Sequence, residues 1–326
     1  MLKKKVKNPK ILIISSEEDT NFKAITEWLM HYKADFFCIN TYKDTVSIHD
    51  YDMQTQALSL LIEENEKEYI LNFKKLQTVF IRNGILNFKI NPVSNNSIKD
   101  SILDYIHYYE RSLNEFLEYH FCTKYNVIGL WGDAFINKLI VLEQAKKIGF
   151  KIPDTYLKTE MNTLNDETSY ISKTLAAPLI TESETQKFLT YTARLDKLLF
   201  PEKIMTSLIQ KEIKKLFEIR VFVFLKKVYA MAIFSQMNKE SVVDYRVYNN
   251  DKPYLDEPYI IPNSLKEKLF NLMDVLKLNT GSFDFMYTES GEYYFLEVNP
   301  VGQFGYLGKV CGVDLNKVIA EEIIDL

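Results

Sequence analysis

The hydrophobic positions of this 326-residue chain recur at two spacings, and their succession predicts an α/β architecture. Short apolar runs at 11–15, 34–40, 78–82 and 126–130 have the length of buried strands. Between the first two, Ser16-Glu17-Glu18-Asp19 supplies a helix start with acids for a first turn, and the helix is expected to run toward Met30. Residues 97–120 repeat apolar positions at helical spacing and predict a long helix. Its stripe of Tyr105, Tyr108, Tyr109 and Phe116 is expected to face the core. A further helix begins at Asn137-Lys138, reaches Lys147 and stops at Gly149, a residue type that ends many helices in the left-handed conformation.

Period-2 patterns dominate the second half. Strands are predicted at 170–174, 187–192, 205–211, 218–224 and 228–236, and in the fourth of these alternation sends Glu218, Arg220 and Phe222 to one face. Residues 251–262 carry three prolines and read as a loop. Residues 263–277 read as an amphipathic helix covering a sheet, and 314–325 as a closing structural helix. Between these helices lies 281–305, GSFDFMYTESGEYYFLEVNPVGQFG. Its two β-rich runs, 282–287 and 293–298, flank the turn Thr288-Glu289-Ser290-Gly291 and predict a hairpin. Alternation places Ser282, Asp284 and Met286 on one face and Phe283, Phe285 and Tyr287 on the other. On the second strand Phe295, Glu297 and Asn299 are expected to share a face. If Asp284 lies across from Glu297 and Asn299, two carboxylates and an amide oxygen converge. That donor set suits Mg²⁺ shared with a nucleotide phosphate better than Zn²⁺. The plainer alternative is a pair of solvated acids on an edge hairpin. Against it, the acids interrupt apolar strands, where a charge needs a partner. Asn299-Pro300 ends the second strand at once, and Gly302 and Gly305 allow tight backbone beside it.

Composition narrows the field. The length suits a large core and two or three subdomains, and 47% hydrophobic with 26% charged residues is ordinary for a soluble globular protein. A net charge of −4 implies no general affinity for nucleic acid. Cys38, Cys122 and Cys311 are far apart, form neither a metal-spacing motif nor a disulfide framework, and fit a reducing compartment. The basic start is followed only by the short run 11–14, and no stretch approaches a membrane span, so a cytoplasmic location and no membrane partner are expected. There is no G-x-G-x-x-G. His31, His49, His107 and His120 show no catalytic pairing, so neither a dinucleotide fold nor a triad enzyme is supported. Arg82, at a strand end, reads either as a cleft residue or as a surface arginine.

An acid-bearing strand followed by Phe295-Leu296-Glu297-Val298-Asn299-Pro300-Val301-Gly302-Gln303-Phe304-Gly305 resembles the metal-binding end of the ATP-grasp ligases. Within them it looks most like the graspetide synthetases, the microviridin-type and grasp-with-spasm peptide maturases. The resemblance implies the ATP-grasp fold. It would comprise an N-terminal pre-ATP-grasp α/β domain over 1–125, a small central lid subdomain over 126–204 and a C-terminal antiparallel-sheet ATP-binding subdomain over 205–326. It also implies ATP and Mg²⁺ as cofactors, with Asp284, Glu297 and Asn299 as metal ligands. Lys138, followed by Ala145, Gly149, Pro153 and Thr155, is similar to the frame of the family's first phosphate-contacting lysine, and Lys173 on its strand matches the second. The stretch Leu175-Ala176-Ala177-Pro178 lacks the glycines of the wider superfamily's phosphate loop, as in graspetide synthetases. Gln210-Lys211-Glu212-Ile213 looks like the hinge that reads the adenine edge, with apolar contact from Ile209 and Ile213. Glu218 would contact the ribose hydroxyls and Arg220 the phosphates; a cross-strand salt bridge is the plainer reading of that pair. Arg246 matches an arginine that stabilises the transferring phosphoryl group, with Asp244 as its orienting partner and Asn249 as a further nucleotide contact.

Enzymes of this kind join a carboxylate to a nucleophile. The carboxylate attacks the γ-phosphate to give an acylphosphate and ADP, and a hydroxyl or amine then displaces phosphate. In graspetide synthetases the carboxylate is an Asp or Glu side chain of a ribosomally made precursor. The nucleophile is a Thr or Ser hydroxyl, giving an ester, or a Lys amine, giving an amide. The implied partner is a precursor peptide with such a core and a leader that raises its effective concentration; relatives suggest a homodimer. One alternative is an ATP-grasp ligase that adds free amino acids to a protein or small-molecule carboxylate. Another is a nucleotide-binding interaction protein without catalysis, which the complete set of cations and acids argues against.

Overall fold

The computed structural model describes residues 4–65, 67–82, 84–89, 99–132, 136–160, 164–165, 167–175, 180–182, 187–189, 192–195, 203–235 and 255–326. The chain forms two compact units, Met1–Ala134 with Asp314–Leu326, and Phe135–Val313. The second is thus inserted into the first along the sequence.

The first unit opens with β1 (Lys5–Lys7), β2 (Ile11–Ser15), α1 (Thr20–His31) and β3 (Phe36–Asn40). The start of α1 differs from the expectation. Glu17 and Glu18 precede the helix, and its first turn carries no acid. Asp19 is the cap, its carboxylate accepting from the Asn21 N–H at 3.0 Å. Three strands follow that the sequence pattern did not reveal: β4 (Thr45–Asp52), β5 (Ala57–Glu64) and β6 (Lys67–Asn72). They form an antiparallel meander, with β1 added parallel to β6. A register shift between Ile48 and Asp50 breaks the alternation of β4 and hides it from a period-2 reading.

Next come β7 (Thr78–Ile81), α2 (Lys99–Lys124) and β8 (Asn126–Ile128), which complete a parallel sheet in the order β3-β2-β7-β8. The second half of α2 enters the core, where Leu117 and Phe121 pack with Leu12, Ile14, Val79 and Ile81. Its first half does not. Tyr105, Tyr108 and Tyr109 are 69%, 65% and 50% exposed, so of the expected core stripe Phe116 alone packs against the core. Arg82 is buried beyond β7 and ion-pairs with Asp19 at 2.8 Å. It is therefore a buried structural cation of this unit.

The second unit begins with α3 (Lys138–Ile148), capped by Asn137, whose side chain accepts from the Leu139 and Ile140 N–H groups, and ended by Gly149 at φ 94°. β9 (Thr155–Glu160), β10 (Tyr170–Lys173), β11 (Ile180–Glu182), β12 (Lys187–Leu189), β13 (Ala193–Arg194) and β14 (Lys203–Lys211) follow. They make one antiparallel sheet ordered β13-β10-β14-β9 and the separate pair β11-β12. The main sheet comes from β15 (Lys215–Phe224), β16 (Lys227–Phe234), β17 (Leu255–Pro258), β18 (Thr280–Thr288) and β19 (Tyr293–Asn299), with α4 (Asn263–Leu276) between β17 and β18. It is antiparallel in the order β17-β16-β15-β18-β19. β17 replaces the expected loop; Pro258 is tolerated because β17 is an edge strand. After β19 come α5 (Gly305–Val310) and α6 (Leu315–Asp325). α6 returns to the first unit and lies against α1. Among the described residues no helix is long and apolar enough to cross a membrane.

One face of the main sheet is greasy. Phe283, Phe285, Phe295, Ile219, Val221 and Val223 are almost fully buried there, and Phe150 packs against Phe285 and Phe295 at ring distances of 5.8 and 5.4 Å. The other face carries Glu218, Arg220, Asp284 and Glu297, and the rest of the unit's chemistry is arranged around it.

Candidate nucleotide and metal site

The hairpin β18–β19 sets the site by its register. Ser282 stands opposite Asn299, Phe283 opposite Val298 and Asp284 opposite Glu297. The register then slips, and Phe285 stands opposite Phe295. Leu296 is therefore an extra residue, a β-bulge. This corrects one expectation. Phe295 does not share a face with Glu297 and Asn299; the bulge sends Phe295 into the core, where it is 0% exposed, and Glu297 to the opposite face beside Asp284. Uninterrupted alternation would have buried Glu297 or exposed Phe295.

Each of these acids faces a cation. Arg220 stands opposite Asp284 on β15 and donates Nε to Oδ1 at 2.9 Å and a terminal nitrogen to Oδ2 at 3.0 Å, a two-pronged contact. Lys138, at the start of α3, has its ammonium 3.6 Å from Oε2 of Glu297. All four side chains are partly exposed, so phosphate oxygens and a cation arriving from solvent can compete for these contacts. Asn299 lies one row further along the same face and is exposed; its Oδ1 accepts from the Val301 N–H at 3.0 Å. Gly302 folds back there, and a Cβ on it would come within 2.3 Å of Ser282. Phe304 stacks on Phe222 at 4.5 Å and anchors the backbone beyond the strand end.

Gln210, Lys211, Glu212 and Ile213 line a pocket closed by Pro153, Ile171, Met286 and Leu296. Ile209, expected to give apolar contact there, instead packs with Leu164 and Tyr170 in a small core. The pocket is mostly apolar with one buried polar feature. Gln210 is 1% exposed, donates to the Thr155 hydroxyl at 3.0 Å, and leaves its Oε1 without a partner among the described residues. A buried acceptor of that kind needs a donor. Glu212 is held by Arg194 through contacts of 2.5 to 3.0 Å, a partner the sequence reading missed. Lys211 is exposed. Lys173 shares its strand face with the pocket residue Ile171, two positions away, in register with Leu208. Glu218 is buried, in register with the pocket residue Met286, and receives the ammonium of Lys215, a second partner the sequence reading did not single out. Arg246, Asn249 and Asp244 lie outside the described residues.

The residues present fit a magnesium nucleotide on their own chemistry. The donor set is two carboxylates and an amide, hard oxygens of the kind Mg²⁺ takes. Among the described residues no cluster of three or more His, Cys, Asp or Glu side chains could hold a metal instead. Gln210 lines the same pocket as Ile171 and Met286, and its Oε1 is an acceptor of the kind an exocyclic amine satisfies.

The sequence matches no protein-family model and no curated protein. Solved structures match it along nearly the whole chain. A RiPP-associated ATP-grasp ligase of Chryseobacterium gregarium, in complex with ADP and a leader and core peptide, is 22% identical, with a TM-score of 0.75 over 97% of each chain. The macrocyclase MdnC of Microcystis aeruginosa MRC, bound with the precursor peptide MdnA, is 18% identical, with a TM-score of 0.70 over 97% of this chain and 99% of that one. The ATP-grasp ligase PsnB, complexed with a minimal precursor, Mg and ADP, is 16% identical, with a TM-score of 0.69 over 98% and 97%. The chain has the ATP-grasp fold.

Proposed function

We propose that this chain is an ATP- and Mg²⁺-dependent, ADP-forming ligase of a ribosomally made precursor peptide. It would activate Asp or Glu side-chain carboxylates and close ester links to Thr or Ser, or amide links to Lys. The observation that carries the reading is the register of β18 and β19, which brings Asp284, Glu297 and Asn299 to one face with Arg220 and Lys138 against the two acids. Support comes from the fold. Three structures that share it hold ADP, a precursor peptide or both.

In this reading Asp284, Glu297 and Asn299 hold Mg²⁺, which when bound neutralises phosphate charge. Lys138, Lys173 and Arg220 supply the remaining positive charge to the phosphates, and Arg246 is assigned the transferring group. The hinge slot takes the base, with Gln210 Oε1 meeting its amine, and Glu218 takes the ribose hydroxyls. The reaction needs no nucleophilic side chain of the enzyme, because the substrate carboxylate attacks phosphorus, ADP leaves, and the peptide's hydroxyl or amine displaces phosphate from the acyl carbon. The protein's part is orientation and charge stabilisation.

Incubation with ATP, Mg²⁺ and a short Thr/Glu-rich or Lys/Glu-rich peptide encoded beside the gene tests this. The peptide should lose one water per link formed, and hydrolysis of the product under mild base should separate esters from amides. A peptide that stays unmodified while free amino acids are added to a carboxylate would move the assignment to an amino-acid ligase.

A further inference from the structure

Lys215 is buried more deeply than a lysine tolerates without a purpose. Its side chain is 2% exposed, and its ammonium donates to Oε1 of Glu218, whose own side chain is 8% exposed. Removing two such charges from water is costly, so the contact has to compensate for it. Regular alternation would not make that contact. Phe217 pairs with Tyr287 on the greasy face, and a regular strand would put Lys215 on that face too, away from Glu218. Instead Lys215 pairs with Thr288, the next residue along β18. Leu216 is the extra residue, bulged outward and 45% exposed. The bulge turns Lys215 onto the face of Glu218. Both lie beside the hinge pocket, since Glu218 stands opposite the pocket residue Met286.

The geometry points to Lys215 as a positioning residue for nucleotide ribose. It fixes the Glu218 carboxylate through Oε1 in the one orientation that meets the two ribose hydroxyls. This rests on the nucleotide reading above and adds to it a residue and a bulge. Lys215 itself does not reach the nucleotide, because its side chain is enclosed. Its effect passes through Glu218 and is selective for the sugar.

The test is binding of ADP and of 2′,3′-dideoxy-ADP, with Mg²⁺, by calorimetry. Wild type should prefer ADP by on the order of tenfold, the scale of a hydrogen bond to a charged group. Lys215→Met should lose that preference by weakening ADP alone, and Lys215→Arg should recover part of it. A folded Lys215→Met that keeps the preference overturns the proposal. If Lys215→Met does not fold, Glu218→Gln and the double variant Lys215→Met/Glu218→Gln take its place. The two should bind ADP equally weakly. A further loss on removing Lys215 from the Glu218→Gln background overturns the proposal, since the ammonium would then act without Glu218. A wild-type protein that binds neither nucleotide refutes the nucleotide reading itself, a result distinct from either of these.

Discussion

At the scale of single residues, the site pairs each acid with a cation that also suits phosphate. Arg220 holds both oxygens of Asp284, and Lys138 faces Glu297. Neutralising an acid therefore has two opposite effects. On the proposed reading, Asp284→Asn or Glu297→Gln should weaken the hold on Mg²⁺ and cut turnover by on the order of a hundredfold, the scale of losing one preorganised charge contact. The same change removes a carboxylate charge from beside Arg220 or Lys138, so ADP binding measured in EDTA should hold or tighten. Calorimetry with and without Mg²⁺ separates the two. Equal loss in both conditions would show that the acids do not act through the metal. In the first unit, His120 offers a different test. It is 3% exposed and ringed by Tyr51, Phe116, Phe121 and Tyr125. Burial, with a smaller push from Lys124, lowers its pKa from 6.5 to about 4. Between those values the unfolded chain binds the extra proton and the folded one does not. The stability His120 contributes is thus complete above pH 6.5 and is lost as pH falls through about 4, amounting to at most about 3 kcal/mol. The difference in urea-unfolding free energy between wild type and His120→Phe should change sign or shrink across that window and stay flat above it.

At the scale of elements, the strands that build the site were legible because they are apolar, regular and bounded by turns. β15, β16, β18 and β19 all lie where period-2 alternation puts them, and α3 is capped by Asn137 and ended by Gly149 as capping chemistry dictates. What alternation could not reveal are the places where it breaks. The bulges at Leu296 and Leu216 carry no sequence signal, since neither residue is a glycine; only pairing with β18 exposes them. The slip in β4 hid a strand in the same way. The α2 stripe failed for another reason: helical spacing shows that Tyr105, Tyr108 and Tyr109 share a side, not that anything covers it. The Leu296 bulge makes a sharp prediction. Deleting Leu296 restores regular alternation, so either Phe295 leaves the core or Glu297 enters it. Losing a buried aromatic costs about 3–5 kcal/mol and burying an unpaired carboxylate costs at least as much. The deletion should therefore lower the melting temperature sharply, whereas Leu296→Ala, which keeps the bulge, should leave the fold intact. Similar melting of the two variants would remove the bulge as the device that sorts these side chains.

At the scale of the whole molecule, the last helix belongs with the beginning of the chain, which no local pattern reveals. α6 packs its buried Leu315, Ile319, Ala320 and Ile323 against the first unit and lies along α1. Trp28 donates its indole N–H to Asp314 at 3.0 Å, and the Tyr32 hydroxyl donates to Glu321 at 2.7 Å, a contact that pushes the phenol pKa up to about 12. The periodicity of 314–325 shows an amphipathic helix, but the partner of its apolar side lies nearly three hundred residues earlier, so sequence order says nothing about it. The energetics make the consequence testable. Burying a large aliphatic side chain is worth about 1.5–3 kcal/mol, so three of them approach the whole stability of an ordinary domain. Ending the chain at Val313 removes the helix that lies against α1, whose Ile25 and Leu29 are at most 1% exposed in the intact protein. The truncated protein should lose its resistance to protease within residues 1–134 while keeping it within 135–313, read by mass spectrometry of the fragments. Ile319→Asp should reproduce the pattern in the full-length chain. If cleavage instead spreads evenly over both units, or if residues 1–134 stay protected, α6 is not what closes the first unit, and its core must be complete without the returning helix.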